Sequence, residues 1–177
     1  MSSNRDDLNA LAVDVLISLS GSTLAVAESL TGGLICSTLT QVPGASAVFR
    51  GGVVAYSTDL KSSLLNVDAQ LLEHGAVQAQ VAFQMALGVC RTLKSEYGLS
   101  VTGVAGPADQ DGQKPGTVFL SVVKCAPDGT PTRMHTDRLA IVLEGVALID
   151  QRAYIRRETA RAAFEALLAL SLGQRSE

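Results

Sequence analysis

The sequence predicts one α/β domain over residues 1–177: a three-layer α/β/α sandwich around a mixed, mostly parallel sheet. Three observations predict it. Short β-prone runs alternate with helical patterns through the first half of the chain, as in successive βαβ units. Two further β-prone runs then follow one another across Pro127-Asp128-Gly129, a turn signal that implies an antiparallel hairpin. A hydrophobic share of 47% against 18% charged supplies a sizeable core for a chain of this length.

The elements follow in order. Residues 4–20 carry Leu8, Leu11, Val15 and Leu19 at spacings of three and four, an amphipathic helix that Gly21 ends. Residues 23–27 read as the first strand and 34–42 as the next helix, which Pro43-Gly44 breaks. Residues 48–56 read as a second strand, with Gly51-Gly52 marking a bulge or a close backbone approach. Ser57-Thr58-Asp59 offers N-caps for a short helix over 60–65, and Val67-Asp68 opens another that ends near His74-Gly75. Residues 81–97 read as a long helix with Val81, Met85, Leu87, Val89 and Leu93 facing inward. A third strand over 99–104 leads into a Gly/Pro/Asp-rich loop over 105–115. Residues 116–124 and 132–142 form the hairpin strands, and 150–172 the last helix, with Ile155, Thr159, Ala162, Ala163, Ala166 and Leu170 on one face. Sheets of this kind bind ligands beyond the carboxyl ends of their strands.

Composition narrows the function. A net charge of −3, aromatic residues at 4% and the absence of Trp argue against a nucleic-acid binder, whether by phosphate contacts or by stacking. No apolar run reaches membrane-spanning length, since Asp14 and Ser18 interrupt the first long one and Gly21 ends it. The polar, acidic start (Asp6, Asp7) lacks the pattern of a secretory signal, so a cytoplasmic protein is expected. Cys36, Cys90 and Cys125 are dispersed among small or apolar residues and read as buried thiols rather than a disulfide or metal set. With only His74 and His135, no zinc or di-metal spacing exists, and neither histidine has a convincing triad partner. No metal or cofactor is implied. Ala-rich and Leu-rich helix faces suit a homodimer.

Three loops after three strands carry the chemistry. In Ala27-Glu28-Ser29-Leu30-Thr31-Gly32-Gly33 a strand stops, turns through small residues and feeds a helix. Ser29 then stands where a hydroxyl attacks a carbonyl while free N–H groups of the turn hold the oxyanion. The plainer reading makes Ser29 or Thr31 only the cap of the helix. In the second loop, Tyr56 to Lys61, Lys61 falls in the first turn of a helix, where the macrodipole disfavours its charge. Burial there lowers a lysine's basicity further, and a neutral lysine takes a serine's proton. The plainer reading is a solvated surface cation. In the third loop, Thr102-Gly103-Val104-Ala105-Gly106-Pro107, closed by Lys114-Pro115-Gly116-Thr117, glycines let backbone N–H groups approach an anion or sugar. It lacks the spacing of a Walker loop. Arg152 and Arg156, four apart on the last helix with Arg157 beside them, suit a phosphate or open solvent. These residues alone leave Lys61 and Lys114 both open as the base.

These motifs in this order resemble the C-terminal domain of the CinA (competence/damage-inducible) family, which also occurs alone as nicotinamide mononucleotide amidohydrolase. The resemblance runs through Glu28-Ser29 with Thr31-Gly32-Gly33, and through Gly52-Val53-Val54 with Tyr56-Ser57 and Lys61. It continues in Gly75-Ala76-Val77, in Gly103, Ala105-Gly106-Pro107, in Lys114-Pro115-Gly116-Thr117-Val118 and in Arg152, Arg156, Thr159-Ala160. It implies the three-layer fold and hydrolysis of the carboxamide of nicotinamide mononucleotide to nicotinate mononucleotide and ammonia. It further implies Ser29 as nucleophile, Lys61 as base and Tyr56 as their assistant. Glu28, Thr31, Gly32, Gly33, Thr102, Gly103, Ala105, Gly106, Arg152 and Arg156 would bind the nucleotide or its oxyanion.

The chain departs from the family pattern at four places. Leu30 stands where Cys is usual, Gln78 where Ser is usual, and Asp150-Gln151-Arg152 where Gly-Asp-Arg is usual. Residues 136–149 read as longer and more apolar than the family's strand there. A nucleotide-binding module without turnover, or an amidohydrolase for another small amide, therefore stand as alternatives.

Overall fold

The computed structural model describes the backbone of residues 3–173 and the side chains of residues 8–173; the acidic side chains of Asp6 and Asp7 lie outside the described residues. The elements are α1 (Ser3–Ser18), β1 (Leu24–Glu28), α2 (Leu34–Thr40), β2 (Phe49–Val54), α3 (Thr58–Leu65) and α4 (Ala69–Leu72). They continue as α5 (Ala79–Leu93), β3 (Tyr97–Gly103), β4 (Thr117–Cys125), β5 (Pro131–Ala140) and α6 (Leu148–Ser171). A single five-stranded sheet has the order β2-β1-β3-β4-β5. β1 lies parallel to both β2 and β3, while β4 is antiparallel to β3 and to β5, so four strands share one direction and β4 opposes them.

The three layers follow from side-chain alternation along β1. Leu24 and Val26 face a core built with α1, α2 and α6, through residues such as Val15, Ile35 and Phe164. Ala25 and Ala27 face the opposite core with Leu65, Val81, Met85 and Val89 of α3 and α5. β1 and β3 are buried along their whole length, as befits central strands covered on both faces.

Most boundaries fall within two residues of the sequence expectation, and the largest difference is at the end of α5. The long helix ends at Leu93 rather than Tyr97, because Lys94 takes a left-handed conformation (φ 52°) as its C-cap. Tyr97 instead opens β3, pairing with Leu24 and donating its N–H to the carbonyl of Thr23. A short 3₁₀ turn over Ala45–Ala47, not expected from the sequence, joins α2 to β2. Of the two features foreseen at Gly51-Gly52, the close approach falls on Gly52, and the bulge lies one residue earlier, at Arg50. The β1/β2 register shifts between Leu24 and Ala25, and a Cβ on Gly52 would run into Cys36 Sγ and the carbonyl of Val26.

The topology creates the site. The chain leaves β1 through α2 on one face to reach β2, then crosses back through α3 and α5 on the other face to β3. The strand order reverses at β1, which opens a crevice beyond the carboxyl ends of β1 and β3. Ser29 follows β1, Tyr56 follows β2, and the loop from Val104 follows β3, all at that one edge.

Candidate active site

The turn after β1 is set by Glu28. Its carboxylate is fully buried and accepts the backbone N–H groups of Gly33 (2.8 Å), Ile35 (3.3 Å) and Cys36 (2.8 Å). These are orphan donors at the N-terminus of α2, and a carboxylate there satisfies them and complements the helix dipole. Gly32 and Gly33 both have positive φ, 58° and 93°, which brings the chain round between Ser29 and α2. Gly32 N–H donates to the carbonyl of Ser29 at 3.0 Å. Glu28 and the N–H groups of Gly32 and Gly33 thus build the turn. The N–H groups of Leu30 and Thr31 make no hydrogen bond among the described residues.

Lys61 lies beneath Ser29. Its side chain is 1% exposed, and Nζ donates to Ser29 Oγ at 3.2 Å and to the carbonyl of Ala55 at 2.8 Å. α3 begins at Thr58 with Ser57 as N-cap, so Lys61 sits at the end of its first turn and points inward rather than into solvent. Burial pushes its pKa below the ordinary lysine value, and the carboxylates of Asp111 and Asp59 pull it partway back. Lysine, serine and carbonyl therefore form a buried contact whose base is biased toward the neutral amine. Lys114, the rival base, is exposed in the loop after β3, and it is Lys61 that hydrogen-bonds Ser29.

Ser29 opens into a cleft of about 280 Å³ lined by Tyr56, by Gly103 to Gln110 and by Arg152. Arg152 spans its mouth, donating through Nη1 to the carbonyl of Gly106 (2.7 Å) and through Nη2 to the Tyr56 hydroxyl (2.6 Å). The residues singled out in the sequence fall into two groups. Ser29, Tyr56, Gly103, Ala105, Gly106 and Arg152 line the cleft, with Lys61 below it. Glu28, Thr31, Gly32, Gly33, Thr102 and Arg156 stand behind its walls. Thr102 Oγ1 donates to the carbonyl of Ala76 at 2.9 Å, and Arg156 donates through Nε and Nη2 to the carbonyl of Thr31 at 3.1 and 2.7 Å. Asp111 was not singled out, although it lies in the same loop. Its only signal was a carboxylate beside a glycine.

Other chemistries find no support at this edge. Among the described residues no group of three His, Cys, Asp or Glu side chains is placed to hold a metal ion. Cys36 lies beside Glu28, and burial with that neighbouring charge drives its thiol far above the ordinary range. Cys90 is pushed up to about 12 by burial and by Cys125 next to it, so neither thiol supplies a thiolate near neutral pH. A larger cavity of about 420 Å³ between α1, α2 and α6 holds Thr38, Gln41 and Arg157 but no nucleophile with a base. No helix among the described residues is long and apolar enough to cross a membrane.

A family model described as the CinA C-terminal domain matches residues 6–171. The chain belongs to that family. Among relatives of the CinA C-terminal domain, a CinA-like protein of Frankia casuarinae is 50% identical over 129 residues, covering 72% of this chain and 29% of that protein. A CinA-like protein of Gloeobacter violaceus is 52% identical over 119 residues, covering 66% of this chain and 28% of that protein. The chain thus spans under a third of the length of these curated relatives. The crystal structure of competence/damage inducible protein CihA from Agrobacterium tumefaciens superposes with a TM-score of 0.82 at 34% identity, covering 96% of this chain and 99% of that one. A CinA superfamily protein from Klebsiella pneumoniae gives a TM-score of 0.82 at 25% identity, covering 94% of this chain and 98% of that one.

Proposed function

We propose that this CinA C-terminal domain hydrolyses the carboxamide of nicotinamide mononucleotide, giving nicotinate mononucleotide and ammonia. The observation that carries the reading is the buried contact of Lys61 Nζ with Ser29 Oγ, 3.2 Å apart at the floor of an open cleft. Ser29 Oγ attacks the amide carbon as neutral Lys61 takes its proton. The carbonyl oxygen becomes an oxyanion held by the free N–H of Leu30, the donor next in the chain to the nucleophile and on the cleft lining. Collapse of the tetrahedral intermediate breaks the C–N bond, and Lys61 returns its proton to the departing ammonia. Water then attacks the acyl-serine with Lys61 again as base, releasing the carboxylate and restoring Ser29. Tyr56, held by Arg152, borders the reacting centre. Arg152 is the guanidinium on the cleft wall with N–H groups left for a phosphate. Arg156 shapes the turn from behind.

Ammonia release from nicotinamide mononucleotide by the whole chain tests the reading. Release is expected, and none from a folded protein contradicts it.

A further inference from the structure

The two edges of the sheet are finished differently. β2, at one edge, has six residues, two of them glycine, and an extra residue at Arg50 that breaks its register. Short strands and bulges of this kind keep an edge from pairing further. β5, at the other edge, has ten residues and keeps unbroken register with β4 from Arg133 to Ala140. Its outer side meets no strand among the described residues, and Thr132, Arg133, Met134, Asp137 and Arg138 are exposed along it.

The backbone fixes how a further strand would join. Ile141 N–H donates to the carbonyl of Gly116 at 2.9 Å, so odd-numbered residues of β5 turn their amides toward β4 and even-numbered ones turn them outward. Arg138 N–H, one of the outward amides, goes to the carboxylate of its own neighbour Asp137 at 2.7 Å. A second β5 related by a two-fold axis must bring even residues onto even ones, so the axis passes through a residue. An axis through His135 sets Arg133 against Asp137 of the other copy, twice over, with Met134 against Thr136 and Thr132 against Arg138. An axis through Thr136 sets Arg133 against Leu139, and one through Asp137 sets two carboxylates face to face. No axis but that through His135 sets an arginine of β5 against its aspartate.

We propose that β5 is the interface of a homodimer, in which two copies of this chain pair antiparallel about His135 and join their sheets into one. The Arg133–Asp137 pairs set the register, as opposite charges across neighbouring strands do. Arg133 spends one N–H on the carbonyl of Leu170 at 3.3 Å and has others for a carboxylate. The Arg138 amide passes to the partner's Thr132 carbonyl and releases Asp137 for that contact. Met134, 55% exposed in the single chain, gains cover. The partner's turn before β5 falls beyond Leu139, where a groove of about 370 Å³ lies between Ile141 and Val142 on one side and Tyr154, Glu158 and Arg161 of α6 on the other.

Sedimentation of the whole chain should show a dimer for wild type. Arg133→Asp and Asp137→Arg should each raise the dimer dissociation constant at least about a hundredfold, since each sets like charges together at two symmetric places. An equimolar mixture of the two variants should recover the dimer, because one chain then brings two carboxylates to these positions and the other two guanidinium groups. Damage to the fold of either variant gives no such recovery. A monomeric wild type, single variants that stay dimeric, or a mixture that stays monomeric overturns the proposal. Should the charge reversals fail to fold, cysteines decide. His135→Cys lies on the axis, at the cross-strand spacing a disulfide spans, and should link to its own copy when oxidised glutathione is added. Thr132→Cys falls opposite Arg138, about 20 Å from its own copy, and should not link. Wild type, whose cysteines are buried or half-buried, should not link either. Linking through Thr132→Cys, or none through His135→Cys, overturns the proposal.

Discussion

Glu28 Oε1 accepts the backbone N–H of Cys36 at 2.8 Å, across the turn that carries Ser29. With Gly33 and Ile35 on its other oxygen, one buried carboxylate satisfies three amides that would otherwise be orphaned. Glu28→Ala should lower the unfolding free energy by about 2–4 kcal/mol, the scale of leaving buried donors unpaired. Glu28→Gln should cost about half as much, since it keeps one acceptor and turns an NH₂ toward amide donors. Urea denaturation measures both, and a stability equal to wild type in Glu28→Ala contradicts the role assigned to it.

Lys61 gives stability and activity the same pH sense. In the unfolded chain its amine takes a proton as the pH falls through 10.5, whereas the buried amine stays neutral down to a lower midpoint. Between the two the unfolded state binds the extra proton, so stability from this group rises with pH. Lys61→Met abolishes that difference. Its stability relative to wild type should be most favourable near neutrality and shift toward wild type as the pH climbs through this window. Wild-type kcat/KM should fall about tenfold per pH unit below the Lys61 midpoint, following the neutral fraction. Thermal melts at several pH values beside a pH–rate profile check both, and a flat acid limb would sink the assignment of Lys61 as base.

The two arginines of α6 should separate in kinetics. Arg152 lines the cleft, whereas Arg156 holds the carbonyl of Thr31 from behind. Arg152→Ala should raise KM for the phosphorylated nucleotide at least about tenfold, the loss of a charge-assisted contact, and change little for the phosphate-free nucleoside. Arg156→Ala should instead lower stability by about 1–2 kcal/mol and reduce turnover of both substrates alike. A phosphate-selective KM defect in Arg156→Ala would reverse these roles.

Gly52 is demanded by packing rather than by backbone conformation. Added carbon there meets Cys36 Sγ and the carbonyl of Val26, so Gly52→Ala should cost about 1–3 kcal/mol. Cys36→Ala alongside it should recover part of that cost, because one of the two obstacles is removed. A double-mutant cycle with no coupling would show that the strand edge relaxes instead.

Much of the fold was legible because local signals agreed with tertiary structure. Gly21 and Pro43-Gly44 mark helix ends by conformation alone, and the 127–129 turn closes the hairpin with Gly129 at φ 80°. The end of α5 was less legible, since Lys94 carries no signal of a left-handed cap and Tyr97 is recruited by pairing with β1. Within the site, Ser29 follows from the strand–turn–helix pattern and the loop after β3 from its Gly/Pro/Asp-rich run between two strands. Lys61 needed the family resemblance, because nothing local tells a buried lysine from a solvated one. Glu28 and Arg156 were expected on the nucleotide, yet their side chains meet the backbone of the turn. Which way a side chain leaves a turn is set by neighbours distant in sequence, such as α6 against the residues after β1.

The most direct test is ammonia release from nicotinamide mononucleotide by wild type, Ser29→Ala and Lys61→Ala side by side. Release by wild type, with losses of several orders of magnitude in both variants, is the predicted outcome. Release undiminished in Ser29→Ala would contradict the account at its centre.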